Sequence, residues 1–201
     1  MGYTIDLAKV QEYNTHHYTI RPKSAALLVI EMQYVFLNEM NIITELQINN
    51  IQKIIAAAER SGVKIIYVRH NDDSELSKSL VEWWGGGKIE RDSDGWKIID
   101  SFNTSDKTII DKNQYSAFFQ TDLDAMLKSE NIEDVIVTGV MTNCCCETTA
   151  RDAFMRGYRV FFINDATTTV NEDLHLATLK NLSFGFACVQ NTEDLINNLS
   201  K

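Results

Sequence analysis

Apolar, β-branched runs alternate with segments of helical apolar spacing along the chain. Ala25–Ile30 (AALLVI) is apolar at every position and predicts a strand buried on both faces. Asn50–Arg60 places apolar residues at helical spacing and stops before Gly62, which predicts a helix. Val63–Val68 predicts a second strand, and Glu75–Trp84 a helix ended by Gly85, Gly86 and Gly87. The alternation continues with a short strand at Lys107–Ile110, a helix at Thr121–Ser129 with Thr121 as its cap, and a strand at Asp134–Thr138. It closes with a helix at Cys146–Arg156, a strand at Arg159–Asn164, a helix at Asn171–Leu182, a strand at Ala187–Gln190 and a helix at Thr192–Leu199. This order predicts a three-layer α/β/α fold with a six-stranded parallel sheet and right-handed crossovers. No repeat, low-complexity tract or linker interrupts it, so residues 1–201 read as a single domain with 1–24 as an N-terminal extension. Residues 85–106, rich in Gly, Asp and Ser, form the longest irregular stretch, and loops of that length often cover sites.

The composition narrows the class of partner. The chain has 201 residues, 44% of them hydrophobic and 23% charged, and a net charge of −9 without any run of Lys and Arg. Nucleic acid or an anionic membrane surface would need concentrated positive charge, so neither is expected as a partner. A small anion held by one or two cations remains compatible. No apolar stretch approaches a membrane span, and the start MGYTIDLAKVQEY lacks a basic region followed by an apolar one. The expectation is a cytoplasmic protein with reduced thiols. Cys144, Cys145 and Cys146 are adjacent, and neighbouring cysteines bridge one another only under strain.

In an open parallel sheet, ligands bind beyond the carboxyl ends of the strands. The residues just after the strands here are Glu31 in VIEMQYVF, Asp111–Lys112 in IIDKNQYSAFF, and GVMTNCCCE. An acid, an ammonium and a thiol therefore converge on one sheet edge. A thiol of ordinary pKa is mostly protonated at neutral pH, and the thiolate is the nucleophile. A nearby Lys stabilises the thiolate, and a carboxylate can take the thiol proton and return it to a leaving group. A helix start just after the thiol adds partial positive charge and backbone N–H groups that can hold an oxyanion.

GVMTNCCCETTARDAFMRGY resembles the isochorismatase-like cysteine hydrolases, whose pattern is roughly G-V-x-T-x-x-C-x-x-x-T-A-x-D-A-x-x-x-G-Y. LLVIEMQYVF, where the family has Asp-Met-Gln and an aromatic, and DKNQYSAFF, where it has a Lys shortly before Tyr/Ser-x-F, continue the resemblance over about residues 22–170. It implies an isochorismatase-like (Rossmann-like) fold and a hydrolase that forms a homodimer or homotetramer. It also implies that Cys145 is the nucleophile, Lys112 the catalytic lysine and Glu31 the acid, here one carbon longer than the family's Asp. A cis peptide between Val140 and Met141 is implied, with the Met141 and Cys145 amides as the oxyanion hole. Cys144 and Cys146 fall where the family has small apolar residues and are expected as packed core thiols, like Cys188.

The nicotinamidase branch of this family binds zinc through an Asp-x-His…His cluster after the second strand. Here YVRHNDDSELSK offers His70 with Asp72 and Asp73 but no second His, so no metal and no cofactor are expected. His70 reads as a polar loop or pocket residue, His16 and His17 as exposed, and His175 as a helix residue without a signal. LVEWWGGGKIE resembles instead the true isochorismatases, which carry Phe-Trp-Gly-x-Gly there, hydrolyse a vinyl ether and often lack the Cys. Their His two residues before the Cys position is Asn143 here, and Lys78 is the nearest counterpart of a cation they place before the Phe-Trp. Phe36, Trp84 and Tyr115 are candidates for substrate-binding aromatics, with Trp83 and Phe118 as possible core. The expectation is a metal-free cysteine hydrolase acting on a C–N bond of a small amide-type molecule. The alternatives are isochorismate hydrolysis through Glu31 or a non-catalytic ligand-binding relative.

Overall fold

The structure, a computed structural model, describes residues 4–200. The strands are β1 (Ala25–Ile30), β2 (Lys64–His70), β3 (Thr108–Lys112), β4 (Asp134–Val140), β5 (Arg159–Thr168) and β6 (Cys188–Gln190). They form one all-parallel sheet in the order β3-β2-β1-β4-β5-β6. The chain starts at the centre, winds out through β2 and β3, then returns to β4 and winds out the other way. The reversal between β1 and β4 is the switch point at which such sheets bind ligands.

Alternate residues of the central strands feed the two faces. Leu27 and Val29 of β1 pack with α1 (Glu45–Ser61) and α6 (Thr192–Leu199) through Ile51, Ile54, Leu195 and Leu199. Ala26, Leu28 and Ile30 pack on the other face with α3 (Leu123–Ser129), α4 (Glu147–Met155) and α5 (Glu172–Gly185). Both faces are covered, which is why β1 and β4 are buried at every position. Each fully buried Leu, Ile or Val of this core contributes roughly 1.5–3 kcal/mol.

Several boundaries differ from the sequence expectation, for local reasons. α1 begins at Glu45 rather than Asn50, because Gln47 and Asn50 are polar yet buried; the Asn50 amide donates to the Asp165 carbonyl at 2.8 Å. β3 runs to Lys112, so that lysine ends the strand instead of following it. β5 extends to Thr168 because its pairing with β4 resumes past an irregularity, with Gly139 opposite Thr167 and Val140 opposite Thr168. α2 (Lys78–Trp84) is shorter than expected and follows a 3-10 turn at Glu75–Ser77; none of its residues is buried. The stretch 85–106 is irregular, yet Gln33 bridges Ile98 and Trp96, Ile99 and Phe102 are buried, so it is anchored. The N-terminal extension buries Ile5, Val10 and Ile20, and the Asn164 side chain accepts from Ile5 N at 3.3 Å and donates to Ile5 O at 2.7 Å.

Gly139 sits at the switch point with φ +112°, and a Cβ there would lie 2.0 Å from the Ile30 carbonyl oxygen. No side chain fits between these two backbones. Gly139→Ala is expected to destabilise the fold by about 4 kcal/mol or more, read as a lowered denaturant midpoint. A variant with wild-type stability would show that the β1–β4 contact adapts freely.

Candidate active site

Glu31 follows β1 directly, with φ +51° and its backbone N–H donating to the Val68 carbonyl at 2.8 Å. On β3, period-two alternation separates Asp111 from Lys112. The Asp111 carboxylate takes Arg69 at 2.7 Å and Arg91 at 3.2 Å, while the Lys112 ammonium is wholly buried. Lys112 Nζ donates to the Glu31 carboxylate, to the Gln114 carbonyl at 2.8 Å, and lies 3.5 Å from Cys145 Sγ. Cys145 lies in a π-helical turn, Thr142–Cys146, between β4 and α4. The turn is tied down at its start, where the N–H groups of Cys144 and Cys146 donate to the Met141 carbonyl at 3.1 and 3.2 Å. The Val140–Met141 peptide is cis. Residues 31, 112 and 145 thus meet at the switch point although up to 114 positions separate them (145 − 31).

The electrostatics differ from a resting thiolate. Burial pushes the Cys145 thiol well up, the Glu31 carboxylate adds to this, and Lys112 pulls the other way without prevailing. For Lys112, burial pulls the pKa down, but the Glu31 carboxylate in direct contact with the ammonium keeps it protonated. The resting site is therefore a neutral thiol above an ammonium–carboxylate pair. Its proton can pass to Glu31 as the sulfur attacks, while Lys112 steadies the charge left behind.

These groups form the floor of a cavity of about 250 Å³. Glu31, Met141 and Cys145 line it, and so do all three candidate aromatics, Phe36, Trp84 and Tyr115. Trp84 is 51% exposed and donates through Nε1 to the Tyr115 hydroxyl at 3.1 Å. Phe118 is core, and Trp83 faces solvent rather than the core. Cys146 and Cys188 are packed thiols as expected. Cys144 is not: it is half-buried and lines the cavity. Burial and Glu31 push its thiol up to about 11. The reason is the π-helical turn, whose wider step brings two successive side chains to one wall.

Sequence reasoning missed part of the wall. Glu39, Asp72, Leu80, Val81 and Ile89 line the cavity beside His70. His70 pairs with Lys112 across β2 and β3, and its Nε2 lies 2.8 Å from Asp72 Oδ1. The other Asp72 oxygen accepts from Ile89 N at 2.8 Å, which pins the 85–106 loop over the site. No group of three or more His, Cys, Asp and Glu among the described residues is arranged to hold a metal ion. Asp72 takes His70 Nε2, while His70 Nδ1 is buried without a hydrogen-bond partner among the described residues, and no second His follows in the segment after β2, so the residues present do not fit the two-His zinc cluster of the nicotinamidase branch.

His175, unremarkable in the sequence, braces the 142–146 turn from α5. It is fully buried, with Nδ1 2.9 Å from Thr142 Oγ1 and Nε2 3.0 Å from Asn164 Oδ1. Burial lowers its pKa from 6.5 to about 4. The folded state therefore holds a neutral imidazole at a pH where the unfolded chain already binds a proton. Its contribution to stability is intact above pH 6.5 and is lost as pH falls from 6.5 to about 4, a loss of about 3 kcal/mol. Denaturant titrations of wild type and His175→Gln across that range should show a shallower acid decline in the variant. Parallel curves would refute the assignment.

The sequence and structure have close relatives among known proteins. The isochorismatase-domain family model matches residues 25–194. Nicotinamidase 3 of Arabidopsis thaliana is 40% identical over 192 residues, 94% of this chain and 95% of that protein. Enterobactin synthase component B of Escherichia coli K12 is 31% identical over 91% of this chain and 66% of its own length. A cysteine hydrolase from Pseudomonas syringae pv. phaseolicola 1448A superposes with a TM-score of 0.85 at 28% identity, covering 92% of this chain and 96% of that one. With the sheet order, the switch-point site and these matches together, the chain belongs to the isochorismatase family of hydrolases.

Proposed function

We propose that the protein is a metal-independent cysteine hydrolase that cleaves a C–N bond of a small amide through Glu31, Lys112 and Cys145. The observation that carries this reading is the contact of one buried ammonium, Lys112 Nζ, with both the Glu31 carboxylate and Cys145 Sγ at the cavity floor. Glu31 takes the thiol proton as Sγ attacks the carbonyl carbon. The oxyanion is received by the Met141 and Cys145 N–H groups, and Lys112 keeps the displaced charge in place. Glu31 then gives its proton to the leaving nitrogen and the C–N bond breaks, leaving a thioester. Water, losing a proton to Glu31, attacks the thioester; the acid departs and the thiol regains its proton. Phe36, Trp84 and Tyr115 hold the substrate body. The similarity to a nicotinamidase supports the amide class.

Isochorismate hydrolysis is the second reading, supported by the LVEWWGGG segment in the cavity wall and by the similarity to enterobactin synthase component B. The two readings separate on paired variants. Under the amide reading, Cys145→Ala and Glu31→Gln both remove turnover. Under the isochorismate reading, only Glu31→Gln does. Assembly as a homodimer or homotetramer is supported by large apolar side chains left exposed at the ends of α4 and α5, Met155 and Phe184 among them. No helix among the described residues is long and apolar enough to cross a membrane.

A further inference from the structure

The cavity wall carries charge of one sign. Glu31, Glu39 and Asp72 contribute carboxylates to it, and among the described residues no Lys or Arg side chain lines it. The Lys112 ammonium lies beneath, wholly buried, its charge matched by Glu31 and its other contacts the Gln114 carbonyl and Cys145 Sγ. His70 adds no net positive charge in either protonation state. Paired with Asp72 at 2.8 Å, it makes the couple neutral as imidazolium and negative as imidazole. Glu39, exposed at the mouth, has no ion pair among the described residues. Of the cations near these segments in the chain, Arg69 and Arg91 hold Asp111, and Lys78 lies 3.9 Å from Glu82. Lys88, exposed between Gly87 and Ile89, stays outside the wall. Most of the remaining surface is apolar, including Phe36, Val81, Trp84 and Met141.

We propose that this cavity selects a small carboxamide without negative charge, uncharged or cationic and of about single-ring size, and rejects substrates that bear a carboxylate. The carboxamide part rests on the cysteine-hydrolase reading; the charge preference does not. A carboxylate entering the cavity would leave water, find no free cation on the wall to pair with, and face the unpaired Glu39 carboxylate at the mouth. An ammonium or a neutral ring meets no such opposition, and the ring gains contact with aromatic and aliphatic walls.

Three ligands on one scaffold test this: benzamide, 3-(aminomethyl)benzamide and 3-carbamoylbenzoate, titrated calorimetrically into the full-length protein and followed for hydrolysis. The first two are expected to bind at least about 10-fold more tightly than the third, and Glu39→Gln should narrow that gap about threefold. In parallel, iodoacetamide and iodoacetate are compared as alkylators of Cys144 and Cys145 by mass mapping, each rate divided by that for glutathione. The anionic reagent should be disfavoured by a similar factor, and this ratio decides alone if none of the rings binds. Equal treatment of the anionic and neutral members, by binding and by alkylation, overturns the proposal. So does tight carboxylate binding that disappears in Lys88→Gln, which would mean that Lys88 swings over the mouth. If Cys145→Ala hydrolyses benzamide like wild type, the cysteine-hydrolase reading fails, while binding and Cys144 alkylation still decide the charge preference. If hydrolysis needs Cys145 and 3-carbamoylbenzoate is an equal substrate, the charge proposal fails alone.

Discussion

Cys145→Ala should lower amide turnover by about 10³-fold or more while leaving the thermal midpoint within a few degrees of wild type. The sulfur is the sole nucleophile in the proposed sequence, so residual catalysis would come only from the oxyanion donors and the orienting walls. The side chain is small and 7% exposed, and alanine removes one heavy atom from a site that borders a cavity. The structural cost is therefore minor compared with the loss of chemistry. Steady-state hydrolysis of a small amide panel, with thermal unfolding of the same preparation, checks both halves. An alanine variant that retains amide turnover would remove the covalent mechanism. One that retains only isochorismate turnover would move the protein to the second reading.

Lys112→Met is expected to be the most costly single change at the site for stability. Methionine copies the length of the lysine stem, but it leaves the Glu31 carboxylate 1% exposed with its counter-charge gone. Breaking a buried pair from one side costs about 3–5 kcal/mol, which in a chain of this size lowers the midpoint by about 10 °C. Adding Glu31→Gln to Lys112→Met should restore part of that stability, because the second change removes the stranded charge. It should restore no activity, because the proton carrier is then absent. A Lys112→Met protein as stable as wild type would mean that Glu31 is protonated or solvated in the fold. An additive double-mutant cycle would mean that the two groups are not coupled.

Much of this molecule was readable before any coordinates. The strand at Ala25–Ile30 and the helix at Thr192–Leu199 have the bounds their patterns predict, since strands covered on both faces must be apolar throughout and amphipathic helices must repeat every 3.6 residues. That Glu31, Lys112 and Cys145 share one sheet edge follows from parallel β/α winding, which gathers the residues after every strand on the same side. The resemblance of the GVMTNCCCE segment to the family pattern points to Cys145 among three identical neighbours.

Other features depend on what each residue meets across the fold, and no local pattern encodes that. Gln47 and Asn50 broke the helical periodicity at the start of α1: both are polar yet buried, and Asn50 is held by the Asp165 carbonyl far along the chain. Cys144 entered the cavity wall because a π-helical turn, rather than a regular helix, follows β4. The neutral state of the Cys145 thiol and the commitment of Lys112 to Glu31 arise from desolvation by elements distant in sequence. The bracing of the 142–146 turn by His175 and the acidic wall supplied by Glu39 and Asp72 likewise appear only once α5 and the 85–106 loop are packed in place. The amino-acid order thus determined which groups converge and on which edge of the sheet. Tertiary packing decided their charge states and the sign of the cavity around them, because both are set by distance and exclusion of water rather than by position along the chain.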